Sequence, residues 1–190
     1  MKKHTITIIL ILCSLWFVTH VTAQVDQRTK WETKLETFQR KVGTVLVKGS
    51  SHIGTVEGGA GEIHVRAIEY RDTRTGEKER GIEFFITAKS GSHPLIDYDE
   101  IDSFVKAIEQ MTALDKSATE LEKYEAFYRT RGNMTVVLVE ASLGNGLRAV
   151  VDGNEIGGGI VILSIEGLGN LKRLVAEAKT KLDSLKGAPK

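Results

Sequence analysis

The chain has 190 residues, with 26 Lys and Arg against 25 Asp and Glu, so its formal net charge is +1. Its composition, 41% hydrophobic and 27% charged, is that of a globular protein with one domain or two small halves. The near-zero charge argues against a strongly basic nucleic-acid-binding protein. A single cysteine excludes a disulfide framework and a cysteine-based zinc ribbon.

Residues 1–23 have the pattern of a secretory signal peptide. Lys2 and Lys3 precede an apolar stretch at 6–18, and Ala23 marks the expected cleavage point. The stretch is shorter than the roughly 20 apolar residues that a transmembrane helix needs. We therefore expect an extracytoplasmic protein, periplasmic or secreted, with no stable membrane span after cleavage. A retained N-terminal anchor is the alternative.

Cleavage after Ala23 would change the charge balance and remove the thiol. Loss of Lys2 and Lys3 leaves 24 basic residues against 25 acidic ones, a net charge of −1, and Cys13 is lost with them. Thiol catalysis and thiolate metal sites are then excluded.

Residues 24–41 predict a short amphipathic helix at the N-terminus of the mature chain. Trp31, Leu35, Phe38 and Val42 recur at helical spacing among charged residues. We expect this helix to pack on the body of the protein.

The remaining chain predicts two successive halves with the same layout, four strands followed by one helix. The first half spans 42–118, with strands at 42–48, 52–56, 62–71 and 81–88. The second spans 119–187, with strands at 123–131, 134–141, 147–152 and 159–163, and 188–190 form a tail. The predicted fold class is α+β: two tandem ββββα units with antiparallel sheets, each covered by an amphipathic helix.

The two predicted helices carry matching signals at an offset of 67 residues. Asp97 with Glu100 predicts a capping box for the first helix, and Ser164 predicts the N-cap of the second. At this offset Ile101 coincides with Leu168, so core positions meet core positions. The pattern predicts a structural repeat.

The layout resembles the single-stranded nucleic-acid-binding folds of the Whirly and Pur-alpha families. The strand–strand–strand–strand–helix order over 42–185 carries the resemblance, with the helix openings Asp97-Tyr98-Asp99-Glu100 and Ser164-Ile165-Glu166-Gly167. It implies a duplicated sheet-and-helix fold and, as an alternative function, binding of single-stranded nucleic acid. The resemblance is architectural, so no residue role is carried over. The expected export and the mature charge of −1 argue against nucleic acid as the partner.

No catalytic, cofactor or metal site is predicted. His52, His64 and His93 are 12 and 29 residues apart and lack the spacing of metal-binding pairs. The acidic residues at 97–102 could bind a divalent cation, but helix capping and the helix dipole account for them. Gly157-Gly158-Gly159 predicts a turn, with the close approach of another backbone as the alternative.

Five side chains are candidates for ligand binding: Tyr124, Tyr128, Arg129, Arg131 and His64. Aromatic and basic groups on one strand could stack on bases and neutralise phosphates. However, Tyr124 and Tyr128 share one face of the predicted strand, and Arg129 and Arg131 share the other. His64 lies in a strand of alternating polarity.

We therefore expect a secreted, non-enzymatic binding or structural protein whose partner is a protein or a small-molecule ligand. One alternative is a small-ligand-binding protein or enzyme with a pocket between the two halves. The other is a single-stranded nucleic-acid binder, which would bind in a salt-dependent manner.

Overall fold

The computed structural model describes residues 32–88, 91–140, 146–153 and 159–186. The predicted signal peptide and several other predicted features lie outside the described residues: 24–31 of the N-terminal helix, 143–145 and 157–158 in turns, and the tail at 188–190. Within the described ranges, no helix combines the length and apolar character needed to cross a membrane.

Two four-stranded antiparallel sheets form the protein, and in each sheet the strands are adjacent in chain order. Sheet 1 contains β1 (Leu46–Gly58), β2 (Gly61–Asp72), β3 (Lys78–Ile86) and β4 (Leu95–Asp97). Sheet 2 contains β5 (Glu125–Arg129), β6 (Thr135–Glu140), β7 (Leu147–Asp152) and β8 (Ile160–Leu163). The helices are α1 (Lys34–Gln39), α2 (Ile101–Thr112) and α3 (Ile165–Ser184), with short 3-10 turns at Tyr98–Glu100 and Lys116–Ala118. The predicted α+β class of two ββββα units is confirmed.

The strands of the second half follow the prediction closely, whereas the first half differs at both ends. The predicted strands at 42–48 and 52–56 are one continuous strand, β1, with an irregularity between His52 and Gly54. The fourth strand of sheet 1 is the three-residue β4, a segment that the prediction had not assigned to any strand. The first difference arises because pairing with the long strand β2 holds the Gly49-Ser50-Ser51 segment, which has a weak intrinsic strand preference.

The predicted repeat is visible in the strand register. Ile82 pairs with Ile96 in sheet 1, and Ala149 pairs with Leu163 in sheet 2. Both members of the second pair lie 67 residues after those of the first, which is the offset predicted for the helices. The last two strands and the helix of each half therefore correspond residue by residue.

The main hydrophobic core is shared by the two halves. Phe104 of α2 contacts Phe84 of β3 and Tyr128 of β5, each at 6.0 Å between ring centroids. Helix α3 lies against β1, β2 and β3 as well as β7 and β8. A Cβ atom at Gly54 of β1 would lie 2.6 Å from Leu174 of α3, so this glycine allows the helix to approach the sheet.

Ion pairs align α2 and α3 in antiparallel directions. Lys179 contacts Asp102 at 2.6 Å, and Lys172 contacts Glu109 at 3.2 Å. Residue numbers increase along one helix as they decrease along the other, so the helices run side by side in opposite senses.

The turn regions of each half close on the other half. Gly59, at the tip of the β1–β2 hairpin, exchanges two backbone hydrogen bonds with Ile162 of β8, at 2.8 and 3.1 Å. A Cβ at Gly132 would lie 2.3 Å from the Leu95 carbonyl oxygen, and one at Gly159 would lie 2.4 Å from that of Ala88. The close backbone approach considered for the 157–159 glycines is thus present at Gly159.

Helix α1 covers part of the outer face of sheet 1. Thr33 and Glu36 form a capping box, in which the Thr33 hydroxyl accepts the Glu36 amide and the Glu36 carboxylate accepts the Thr33 amide. Leu35 and Phe38 pack with Ile68, Tyr70 and Leu95 in a second, smaller core. The predicted docking of an N-terminal helix is therefore confirmed for Leu35 and Phe38, whereas Val42, predicted on the same apolar stripe, lies beyond the end of α1 and is 90% exposed.

The predicted capping box at Asp97 and Glu100 is not formed. Helix α2 begins at Ile101 after a 3-10 turn, and the Asp97 side chain makes no capping hydrogen bond to that turn. Its carboxylate instead accepts the free amides of Lys34 and Leu35 in α1. The predicted N-cap at Ser164 is confirmed, because its hydroxyl accepts the Gly167 amide at 3.0 Å.

Candidate functional site: the outer face of sheet 2

The outer face of sheet 2 carries apolar side chains from all four strands. Alternate residues of each strand face the shared core, so their neighbours face outwards. The pairing of β5 to β8 places four outward residues in one line, which we call the apolar row: Phe127, Val137, Val150 and Ile162. Phe127 is 76% exposed and Ile162 is 45% exposed, while both valines are partly exposed.

Two further apolar residues extend the row. Val139 of β6 lies one outward position beyond it on one side, and Ile160 of β8 lies one position beyond it on the other. Scattered exposed apolar side chains are common, whereas a contiguous patch marks an interaction surface.

Charged residues flank the apolar row in opposite order on β5 and β7. On β5, Glu125 and Arg129 lie on either side of the row. On β7, Arg148 lies on the Glu125 side and Asp152 on the Arg129 side. Arg129 also donates a hydrogen bond from Nε to the Thr135 hydroxyl at 3.3 Å. This rim of two basic and two acidic groups is electrically balanced.

The corresponding row of sheet 1 has a different chemistry. Strand pairing aligns His52 with Arg66, Arg66 with Glu83, and Glu83 with Leu95. Arg66 forms an ion pair with Glu83 at 3.5 Å, and Leu95 is packed under α1. Equivalent positions of the repeat are therefore polar or covered in sheet 1, and apolar and open in sheet 2.

Four rings cross the remaining outer face of sheet 1 and form what we call the ring row: His52, His64, Phe85 and His93. Neighbouring ring centroids are 6.0, 5.6 and 4.7 Å apart. The last two contacts are stacked, so these rings face one another instead of presenting a flat platform to a ligand. Arg66 lies 5.7 Å from the Phe85 centroid.

Contacts within the sheet hold the central histidine of this row. His64 Nδ1 lies 2.9 Å from the Thr55 hydroxyl, and its Nε2 lies 3.3 Å from a Glu62 carboxylate oxygen. Across the described ranges, no group of three or more His, Cys, Asp or Glu side chains is arranged to hold a metal ion.

The five predicted binding residues do not form one surface. Tyr128 packs edge-on against Phe104, and burial raises the pKa of its phenol. Arg129 belongs to the rim of sheet 2, whereas His64 lies in the ring row of sheet 1. Tyr124 lines a separate cavity, and Arg131 belongs to a partly buried polar cluster.

This polar cluster joins α1, the 3-10 turn and the β5–β6 turn around the buried Asp97. Arg131 contacts Asp97 at 2.6 Å and Asp99 at 3.2 Å, and its backbone amide donates to Glu100 at 2.7 Å. Burial acts to lower the pKa of Arg131, but its hydrogen bonds to the two aspartates raise that pKa overall. Asp99 also pairs with Lys34, whose hydrogen bond lowers the pKa of the carboxyl. The acidic segment at 97–102 therefore has structural partners.

The cavity beside Tyr124 has a volume of about 320 Å³. It lies where the segment after α2, which belongs to the first half, meets the β6–β7 end of sheet 2. A ligand-binding pocket between the two halves, the predicted alternative, stays a prediction. Its lining combines three apolar or aromatic side chains with three carboxylates: Leu114, Tyr124 and Leu147 with Asp115, Glu122 and Glu140.

Sequence reasoning missed the apolar row, although a signal for it was present. Residues 136–139 and 160–163 are continuous apolar runs. Such runs are typical of strands that are buried on both faces, whereas a sheet with one solvent face shows alternation. Phe127 was not among the five residues predicted to bind a ligand.

Comparison with known proteins places the chain in no family. No family model matches it, and neither a curated protein nor a solved structure matches it significantly.

Proposed function

We propose that the protein is a non-enzymatic binding protein that associates with another protein through the outer face of sheet 2. The observation that carries the proposal is the apolar row, which crosses all four strands and is open to solvent. Fully burying side chains of this size stabilises a complex by about 1.5–3 kcal/mol each, before the costs of association.

The composition of the strands supports this proposal. Strands β6 and β8 have apolar side chains on both faces, as strands covered on both sides do. In sheet 1, α1 covers part of the equivalent surface. On the outer face of sheet 2, Phe127, Ile160 and Ile162 stay exposed.

The charges of the rim favour a protein partner over a nucleic acid. Two acidic residues, Glu125 and Asp152, balance the two arginines. Phosphate binding needs an excess of basic groups, because the phosphate backbone dominates affinity. The partner surface that fits is apolar in the middle and carries both signs of charge at its edge.

The proposal includes an extracytoplasmic location, which the signal-peptide pattern of residues 1–23 supports. We also retain the likeness to the Whirly and Pur-alpha layout as a proposal about architecture, supported by the order of four strands and a helix in each half.

Site-specific photo-crosslinking in the source cell tests the function. A photoreactive benzoylphenylalanine replaces Phe127 in one strain and His52 in a matched control strain. His52 is exposed and occupies the equivalent position of the repeat. We expect light-dependent protein adducts from position 127 and none from position 52. Absence of any adduct from position 127, with the protein folded and present at normal levels, would overturn the proposal.

A further inference from the structure

The geometry of the rim points to the partner: we infer that the outer face of sheet 2 binds the same face of a second copy of this chain. This inference rests on the proposed function and names its partner. Two-fold packing of identical faces is the commonest arrangement in homodimers. The apolar row and its rim satisfy the self-complementarity that this symmetry requires.

Consider two copies placed face to face, with the two-fold axis running along the apolar row. The axis brings each residue of the row opposite itself in the second copy. It also exchanges the two flanking positions of each strand. Glu125 then faces Arg129 of the second copy, and Arg148 faces Asp152 of the second copy. Four ion pairs would surround a continuous apolar centre.

The other in-plane axis, parallel to the strands, does not give this match. It would place Arg148 opposite Val139 of the second copy and Arg129 opposite Ile160 of the second copy. Charged groups would then be buried against apolar side chains, which is unfavourable. The order of charges on β5 and β7 thus selects the axis along the row.

The size of the surface sets the expected affinity. At about 4.8 Å between strands and about 3.3 Å per residue, four strands by five residues span about 19 by 17 Å. This is smaller than the roughly 800 Å² per partner of a standard stable interface. We therefore expect a reversible dimer with a dissociation constant of about 10–100 µM. The two sheets would cross at the angle of about 30° that sheet twist imposes on aligned packings.

Charge exchange on β5 tests the inference in sedimentation experiments on the naturally processed protein, from about 1 to 200 µM. In the Glu125→Arg variant, the new arginine of each copy faces Arg129 of the other copy. In the Arg129→Glu variant, the new glutamate of each copy faces Glu125 of the other copy. Each single variant should weaken the dimer about tenfold or more. The double variant Glu125→Arg with Arg129→Glu restores every pair and should dimerise within about threefold of the original.

Mixing the two single variants gives the sharpest test. In the mixed dimer every opposing pair at 125 and 129 is again of opposite charge, so the mixture should dimerise more tightly than either variant alone. His52→Asp, at the equivalent position of sheet 1, is the control and should leave dimerisation unchanged. Far-ultraviolet circular dichroism and the melting temperature verify that each variant is folded.

The outcomes separate this inference from the proposed function. A protein that stays monomeric at 200 µM overturns the inference, as does a dimer that is indifferent to both single charge changes. Photo-crosslinking at position 127 to a different protein, with no self-adduct, also overturns it but leaves the proposed function standing. Self-adducts at position 127 together with the charge-exchange pattern support both.

Discussion

The carboxylate of Asp97 accepts a hydrogen bond from the backbone amide of Lys34 at 2.8 Å, across 63 residues of sequence. It also accepts the amide of Leu35 and contacts the Arg131 guanidinium. One buried side chain thus joins the N-terminal helix, the last strand of sheet 1 and the first turn of sheet 2.

We expect Asp97→Ala to lower the free energy of unfolding by about 3 kcal/mol, because it leaves two helix amides and a guanidinium without their acceptor. Chemical denaturation measures the loss, and hydrogen exchange should show the amides of α1 exchanging first. Asp99→Ala is the control, since Asp99 is about half exposed and its ion pairs should contribute less than about 1 kcal/mol. Equal losses for the two variants would contradict the role of Asp97.

Glu100→Gln should raise the free energy of unfolding at neutral pH. Burial raises the pKa of Glu100, and its Oε2 atom is buried without a hydrogen bond to the described residues. The glutamine retains an acceptor for the Arg131 amide while removing the buried charge. Because the folded-state pKa is raised, the original protein gains stability as the pH falls through that value towards the unfolded value of about 4.3. Denaturation curves at several pH values should therefore show the advantage of the variant disappearing on acidification, and a constant advantage would contradict this account.

Asp72→Asn should have the opposite pH dependence. The Thr44 hydroxyl and the amides of Arg74 and Thr75 hydrogen-bond to this carboxylate and hold its pKa well below the usual range. Ionised Asp72 stabilises the fold above the unfolded pKa of about 3.9, and this contribution is lost as the pH falls through the depressed folded value. The variant should be less stable than the original protein at pH 7, and the difference should shrink below about pH 4. Thermal melts from pH 2 to 7 measure it, and a difference independent of pH would count against the assignment.

Two glycines of β1, Gly58 and Gly49, allow a matched test of how tightly the two sheets pack against each other. A Cβ at Gly58 would lie 2.5 Å from a Val161 methyl group and 2.7 Å from the Ile162 carbonyl oxygen. The nearest atom to a Cβ at Gly49 would be 3.9 Å away. We expect Gly58→Ala to destabilise the protein by about 1–3 kcal/mol through overpacking. Gly49→Ala should be neutral or slightly stabilising, because alanine loses less backbone entropy on folding. Melting temperatures of the two variants, compared directly, decide this prediction.

The second half was predictable because its signals are local. Short strand-forming segments separated by turn sequences predicted β5 to β8 within two residues at each end, and the hydroxyl of Ser164 caps the start of α3 as predicted. The first half depends on contacts that are distant in sequence. The Gly49-Ser50-Ser51 segment of β1 is a strand because β2 pairs with it, and Asp97 binds α1 instead of its own helix.

The candidate site was predictable in part. The runs at 136–139 and 160–163 indicate strands with two apolar faces, but only the register between strands places Phe127 and Val150 in the same row. The three histidines 52, 64 and 93 come from two strands and a loop, so their sequence spacing gave no sign that their rings would meet. The sequence shows which apolar and aromatic side chains are available, whereas the strand register determines which of them lie next to one another on a face of a sheet.

The position of α3 also determines the order in which parts of the chain can fold. This helix packs on sheet 1, although more than a hundred residues separate Gly54 from Leu174. During synthesis, the part of the inner face of sheet 1 that α3 covers stays exposed until nearly the last residue of α3 has emerged from the ribosome. Contacts at such separations slow folding, because a long loop must close before they form. Sheet 1 therefore cannot complete its packing before α3 is present, and the two halves become native together.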